Sequence, residues 1–340
     1  MSNNVYENKV LESKLTSLVD SKIEVRSLMT VDKSLAEGAG LTKVVNRYNF
    51  EGKVETLEGG QANTSLGRLT FTPNEYKVKR YQQTFAYNDM EAMQDPAMID
   101  VALAGIADLM ANQIRSEYFA ELRKSGNRHA YSGSTITYSD VVDALASLGR
   151  EVEDGLFIIM STSCRSAIRK DSDFIAARSG EILYTGQFGT LCGIPVLFSS
   201  LVPDGQAIIT DKEAVRFFVK REASLEQDRN IETKVNTVVY ERCGLIALVD
   251  DTSTVVMGKA APSLSATVTS GVLVVSGKVS SSNPVYYRKA ADAALLSEDV
   301  SGWTPWNTGE ALDAEAGEII SVAEADSDGK CVASATCIMA

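Results

Sequence analysis

The spacing of apolar residues changes along this chain, and each change marks a different kind of element. Between Asp95 and Gly126 the residues Ile99, Leu103, Ile106, Met110 and Ile114 recur every three or four positions, the period of a helix with one buried face. Asp95 is a good N-cap, Pro96 sits where a first-turn proline is tolerated, and Gly126 suits a left-handed C-terminal residue. The pattern therefore predicts one helix of about 28 residues, a rod of roughly 40 Å. Asp100, Asp108 and Arg115 on that rod argue against a membrane span.

The stretch before the helix has a different character. VVNRYNFEGKVET and SLGRLTFTPNEYKVKR read as two strands around the turn-rich tip EGGQANTS, an extended hairpin over residues 44–80. Its large apolar residues are few: Val54, Leu57, Leu66, Leu69 and Phe71. A two-stranded ribbon is marginal in water on its own, so this one is expected to pack on a neighbouring subunit; the alternative is that it folds back on its own domain. Ahead of it, Tyr6, Val10, Leu11, Leu15, Leu18 and Val19 make a short amphipathic pattern within residues 1–45. Such a segment is weak alone and reads as an arm that lies on a partner, or as a disordered one. YKVKRYQQTFAYNDM continues as a strand into the long helix.

Residues 135–249 alternate helix and strand signals. TYSDVVDALASLG is a helix capped by Thr137 or Ser139, GLFIIMS a buried strand, and Ser163–Lys170 the start of a second helix. EILYTGQFGTLCGIPVLFSS is a glycine-punctuated loop running into a strand. QAIITDKEAVRFFVKR is a strand followed by a second strand or short helix, and KVNTVVYERCGLIALVDDTSTVVMG closes with two or three strands. APSLS at 261–265 looks like a boundary. Beyond it short strands alternate with Gly, Ser and Asp turns, the pattern of a small β-sandwich of about 80 residues.

Composition narrows the function classes. The chain has 340 residues, enough for more than one core, with 44% hydrophobic residues and a formal net charge of −12. An acidic chain without a basic stripe is a poor nucleic-acid binder, because counterion release needs clustered Lys and Arg. Residues 262–340 hold four basic against ten acidic residues and so carry half of the net charge, as a solvated outer face does. MSNNVYENKVLESK has charges where a signal peptide needs an apolar run, which argues against Sec export. The longest apolar runs, Leu156–Met160 and Val272–Val275, are too short to span a bilayer. The five cysteines are odd in number and form no CxxC, so buried free thiols in a reducing compartment are expected. Cys331 and Cys337, on one predicted strand, stand roughly 20 Å apart and cannot bond.

Candidate chemistry adds little. His129 is the single histidine, in a loop beside Asn127 and Arg128, so any His-dependent triad must use it and a His-based metal cluster is excluded. Gly186, Gly189 and Gly193 match neither a Walker A loop nor a dinucleotide fingerprint and read as turn formers. Glu324, Asp326, Asp328 and Gly329 resemble the start of a calcium loop, but its twelfth position would be Ala335; a hairpin turn explains them more simply. No catalytic residue, cofactor or metal is expected.

The order of arm, long hairpin, strand, long helix, α/β region and closing strands resembles that of the major capsid proteins of tailed bacteriophages with the HK97-type fold. The nearest local likeness is Thr185–Gly258, where TGQFGTLCGIPVLFSSLVPDGQAIITDKEAVRFFVKR looks like the family's loop, strand, turn, strand and K-x-A-V segment. The resemblance covers about 1–260. It implies an α+β subunit with an N-terminal arm at 1–43 and an extended loop at 44–75. A peripheral domain would take 76–132 and 233–260, with its spine helix at 96–125, and an axial domain 133–232. Residues 262–340 look like the Ig-like β-sandwich modules appended to some of these proteins.

The function implied is a virion shell built from homo-oligomeric hexamers and pentamers around packaged double-stranded DNA, without sequence-specific contact. The resemblance also implies a separate scaffolding protein, or none, together with a portal, assembly in the host cytoplasm, and no membrane. Inter-subunit contact would fall on Lys53, Val54, Leu57, Leu66, Leu69 and Phe71 of the loop and on Tyr6, Leu11 and Leu15 of the arm. The alternatives are an encapsulin-like compartment shell, an enzyme acting through His129 or Cys192, and a soluble Ig-domain binding protein. Some family members crosslink a loop lysine to an asparagine beside a glutamate; Lys53 lies in the loop, but neither partner can be matched. Assembled particles are therefore expected to run as monomer on a denaturing gel, and a ladder of covalent oligomers would overturn this.

Overall fold

A computed structural model describes residues 6–7, 9–22, 28–37, 40–58, 61–95, 97–150, 153–172, 189–250, 252–269, 271–307, 312 and 314–339. In chain order the elements are β1 (Tyr6–Glu7), α1 (Lys9–Lys22), β2 (Thr30–Asp32), α2 (Ser34–Glu37), β3 (Thr42–Glu51), β4 (Arg68–Lys77), β5 (Lys79–Asn88), α3 (Asp89–Gln94) and α4 (Met98–Leu122). Next come β6 (Arg128–Tyr131), α5 (Tyr138–Ser147), β7 (Leu156–Met160), α6 (Thr162–Arg169), β8 (Thr190–Leu191), β9 (Ile194–Phe198) and β10 (Ala207–Asp211). They are followed by β11 (Val215–Arg229), β12 (Val235–Leu248), β13 (Val255–Lys259), β14 (Ser265–Thr269) and β15 (Val272–Ser276), then β16 (Val285–Lys289), β17 (Thr304–Trp306), β18 (Ile319–Ala325) and β19 (Cys331–Ile338). The chain forms two compact units, Met1–Glu121 with Lys212–Asp250, and Leu122–Asp211 with Asp251–Ala340.

The first unit is built on the long antiparallel pair β11–β12, in register from Val215↔Leu248 to Arg229↔Asn236 with irregularities around Arg221. β5 pairs along the other edge of β12, and β1 and β2 pair with β11. Segments 212–232 and 233–260, expected in different domains, are thus joined here by strand pairing up to Leu248. The turn between β11 and β12 is short, and Asn230 Oδ1 accepts from Glu232 N at 2.9 Å and Thr233 N at 3.1 Å; adjacent antiparallel strands so linked stay together. α4 begins after Asp95, whose carboxylate accepts from Ala97 N at 3.0 Å. It ends at Leu122, short of Gly126, because the following turn gives its carbonyls to Arg128. Leu103, Ile106, Met110 and Ile114 are buried as the spacing requires, and Tyr118 and Phe119 extend the stripe.

The arm corrects the sequence reading. α1 does not wait for a partner: Leu15 and Val19, one turn apart, are both wholly buried within its own unit. Glu12 accepts from Leu225 N at 3.4 Å, Lys14 pairs with Asp100 at 2.6 Å, and Lys22 with Asp108 at 2.7 Å. Arg242 rises from β12 with its side chain 1% exposed, 3.3 Å from Asp20 and over the Phe217 ring. A buried guanidinium needs its counter-charge, so α1 completes the sheet instead of adorning it.

The second unit holds a six-stranded sheet in the order β6-β13-β10-β7-β9-β8, with β13/β6 and β7/β9 parallel. Every residue of β7 is buried, as its unbroken apolar run implies. α5 starts at a capping box of Thr137 and Asp140, and α6 at Ser161, whose hydroxyl accepts from Cys164 N. After β13 the elements among the described residues are all strands. The hairpin β14–β15 and the sheet β17-β16-β18-β19 enclose a core with Leu273, Val285, Ile320 and Val322. The opposite face of that sheet buries Ala294, Val300 and Ala323.

The five thiols are free, and Cys331 and Cys337 share β19 as expected. Burial, with the Glu298 and Glu324 carboxylates adding to it, pushes the Cys331 thiol up to about 12.

Two outcomes follow from this packing. Leu15→Ala is expected to cost the unassembled chain about 2–5 kcal/mol in urea denaturation, whereas Val10→Ala, at a residue 79% exposed, changes it by less than about 0.5 kcal/mol. The native state favours the neutral Cys331 thiol, so that contribution is whole below the ordinary thiol value of 9.0 and is lost as pH rises from there toward 12. The urea midpoint should therefore fall between pH 9 and 12, and by less in Cys331→Ala.

Candidate functional site

The hairpin β3–β4 is a two-stranded ribbon with no third strand among the described residues. Its register runs from Thr42↔Lys77 to Glu51↔Arg68. Side chains alternate across a strand, so one face carries Val44, Tyr48 and Phe50 opposite Glu75, Phe71 and Leu69, and the other Lys43, Arg47 and Glu51 opposite Tyr76, Thr72 and Arg68. The ribbon is amphipathic, yet its apolar face is uncovered: Tyr48 is 65% exposed, Phe50 69%, Leu69 59% and Phe71 61%. Tyr48 and Phe71 meet across the strands with ring centroids 6.4 Å apart.

The base of the ribbon is anchored. Val45 is buried with Leu35, Phe218, Leu245 and Ala247, and Tyr76 packs against them. Lys43 Nζ lies 3.9 Å from the centre of the Phe218 ring and donates to Ser34 Oγ at 3.1 Å. Beyond the strands, the Glu55 carboxylate takes the backbone N–H of Thr64 at 3.0 Å and its hydroxyl at 2.8 Å, and these bonds hold its carboxyl below the ordinary range. The segment is thereby tied across its width, with Val54 and Leu66 each 94% exposed and Leu57 partly so. Residues 59 and 60 at the tip lie outside the described residues.

The residues named from sequence thus divide. Leu69 and Phe71 lie on the exposed face of the ribbon, and Lys53, Val54, Leu57 and Leu66 in the exposed segment beyond its strands. Leu11 is half-buried on α1 and Leu15 is interior, so Leu15 is corrected from a surface contact to a core residue. The side chain of Tyr6 lies outside the described residues. Tyr48 and Phe50 were missed; the period-two spacing Val44, Tyr48, Phe50 held the signal, but only the register shows that they share a face with Leu69 and Phe71.

The chemical candidates resolve into structure. Glu324 is wholly buried and accepts from Val279 N at 2.7 Å, Ser280 N at 2.8 Å and Asn283 Nδ2 at 2.7 Å. Asp326 Oδ1 accepts from Asp328 N and Lys330 N, each at 2.9 Å, so this is the hairpin turn of β18–β19. Cys192 and Gly193, both at positive φ, form the two-residue turn between β8 and β9; Gly186 lies outside the described residues. Burial pushes the Cys164 thiol up, the wrong direction for a nucleophile. His129 sits on β6 opposite Met257. Among the described residues no group of three or more His, Cys, Asp or Glu side chains could hold a metal, and no helix is long and apolar enough to cross a membrane.

Comparison with known proteins gives these features a context. No family model matches the chain. The major capsid protein of Staphylococcus phage phiMR11 is 22% identical over 270 residues, a match covering 75% of this chain and 94% of that relative. The capsid structure of cyanophage P-SCSP1u aligns with a TM-score of 0.53 at 11% identity, covering 68% of this chain and 86% of the other. The crystal structure of a virus-like particle from Pyrococcus furiosus aligns with a TM-score of 0.50 at 13% identity, covering 73% and 98%. With its α+β architecture, its long helix and its hairpin, this chain is similar in fold to the HK97-type capsid structures of phages.

Proposed function

We propose that this protein is the major capsid protein of a tailed phage, a structural shell subunit whose copies close as hexamers and pentamers into an icosahedral head around double-stranded DNA. The observation that carries the reading is the apolar ribbon face. Tyr48, Phe50, Leu69 and Phe71 are held in register on a rigid base and left in water. An exposed patch of this kind belongs to an interaction surface, and a second copy of the same chain supplies the cover. Lys53, Val54, Leu57 and Leu66 extend that contact toward the tip; Leu11 contributes at the arm.

In this reading β5, α3, α4 and the β11–β12 pair form the peripheral region, and the six-stranded sheet forms the axial region. Residues 262–340 are an Ig-like module on the shell's exterior. The net charge of −12 suits a wall that encloses DNA without gripping it. A separate scaffolding protein and a portal complete the assembly in the host cytoplasm. The fold alone is shared with the Pyrococcus virus-like particle, so a cellular compartment shell is the second reading; the sequence match to a phage capsid protein favours the first.

Negative-stain microscopy with light scattering tests the proposal. Purified chain, alone or with scaffold, is expected to form closed particles. Tyr48→Glu with Phe71→Lys, which keeps an opposite-charge pair across the strands, should change the stability of the unassembled subunit by less than about 1 kcal/mol and abolish closure. Closed particles from the double variant would remove the ribbon face from the assembly contact. A wild-type chain that stays monomeric under every condition would remove the shell itself, and a co-purifying cargo enzyme inside particles would shift the reading to a compartment.

A further inference from the structure

The modules appended to shell proteins are naturally pictured as tethered beads. The seam between β13 and the C-terminal strands does not fit that picture. Arg128, at the start of β6, has a side chain only 2% exposed. Its guanidinium uses all its donors: Nε gives to Glu298 Oε2 at 2.9 Å, Nη2 to Glu298 Oε1 and to Arg123 O at 3.3 Å, and Nη1 to Ser125 O and to Gly126 O at 3.2 Å. The backbone N–H of Arg128 gives to Asp292 Oδ2 at 2.9 Å. Asp292 and Glu298 both belong to the segment after β16, within the C-terminal region. A bidentate fork of this kind fixes direction as well as distance.

Independent contacts repeat the arrangement. Leu295, 1% exposed, lies on the backbone of β13: a Cβ built on Gly258 would come within 2.9 Å of its Cδ1. Leu296 N donates to Lys259 O at 2.9 Å, and Ala260 bridges Leu295. Ser297 takes a φ of 62° and donates its N–H to Cys331 O at 2.8 Å, which carries the segment back onto β19. The connection itself is not slack. Ala260 N donates to Tyr131 O, Leu264 N to Ser334 O, and Ser334 N to Pro262 O, each at 2.9 Å. On the module side Glu298 Oε2 also accepts from Leu295 N at 2.9 Å, and Arg288 stacks on Trp303 at 4.2 Å with its Nη1 3.8 Å from Glu298.

We infer that residues 262–340 are a fixed extension of the six-stranded-sheet body, held in one orientation by the Arg128–Glu298 fork and the seat of Leu295 on Gly258. Every copy then presents the module at the same angle, so any ligand the module recognises meets a rigid array. Arg128 is the positioning residue: without Glu298 it is a buried cation that loses its counter-charge and two of its five hydrogen bonds, and the β6 end of the sheet shares the loss with the module. The inference concerns the single subunit and holds whether or not the chain builds a shell.

Hydrogen–deuterium exchange with mass spectrometry on the full, unassembled chain tests it. Glu298→Gln is expected to speed exchange by about tenfold or more in 128–131 and 255–259 together with 292–300, and to leave 79–88 unchanged. Gly258→Val, which displaces the Leu295 side chain and leaves Arg128 and Glu298 themselves unsubstituted, should give the same joint pattern. If Glu298→Gln does not accumulate as folded protein, Glu298→Asp, which keeps the charge but shortens the fork, replaces it. Faster exchange confined to 292–300, or no change anywhere, would show a module that moves independently of the sheet and would overturn the inference.

Discussion

A ribbon two strands wide has two faces and can cover neither. That constraint governs the functional surface of this chain. β3 and β4 satisfy each other's backbone, but only the foot of the ribbon, at Val45 and Tyr76, reaches a core. Further out, Tyr48, Phe50, Leu69 and Phe71 gather on one side because their register demands it. Among the described residues of the subunit no layer lies over them. Surface of this kind lowers its free energy by meeting another surface, and a shell built of identical subunits is one way to provide it.

The rest of the first unit gives that ribbon a rigid foot. The β11–β12 pair is long and internally paired, β5 closes one side, and α1 supplies Leu15, Val19 and the counter-charge for Arg242. Lys43 over Phe218 and Lys220 donating to Leu35 O at 3.1 Å bind the start of the ribbon to β11. Rigidity at the foot reduces the conformational entropy lost when the blade docks. The second unit spends its polar groups differently. Glu324 organises the loop at 279–283, Asp326 a turn, and Arg128 the junction with the C-terminal strands. Glu324 and Asp326, which resemble calcium ligands in the linear sequence, accept hydrogen bonds from neighbouring backbone here.

Much was legible in the sequence because it depends on neighbours only a few residues away. The α4 stripe, the Thr137 cap of α5, the unbroken apolar run of β7, the hairpin turn at Asp326 and the strand holding Cys331 and Cys337 all follow from local spacing and local hydrogen bonds. The ribbon was visible for the same reason, as was the poverty of apolar residues between its strands. The acidic balance and the lone histidine set limits on function that no folding could change.

What only the tertiary structure decided involves partners far apart in the chain. An amphipathic arm reads the same whether its stripe meets a partner or its own sheet; Leu15 was placed by strands more than 200 residues away, and Arg242 by Asp20. The shared face of Tyr48 and Phe71 needs the register of two strands, which spacing within either one does not contain. The boundary suggested by APSLS was a change of composition, and composition records solvent and turn chemistry, not which surfaces touch. Arg128 and Glu298, 170 residues apart, carry no mutual signal in sequence; burial brings them together, and burial is a property of the whole fold.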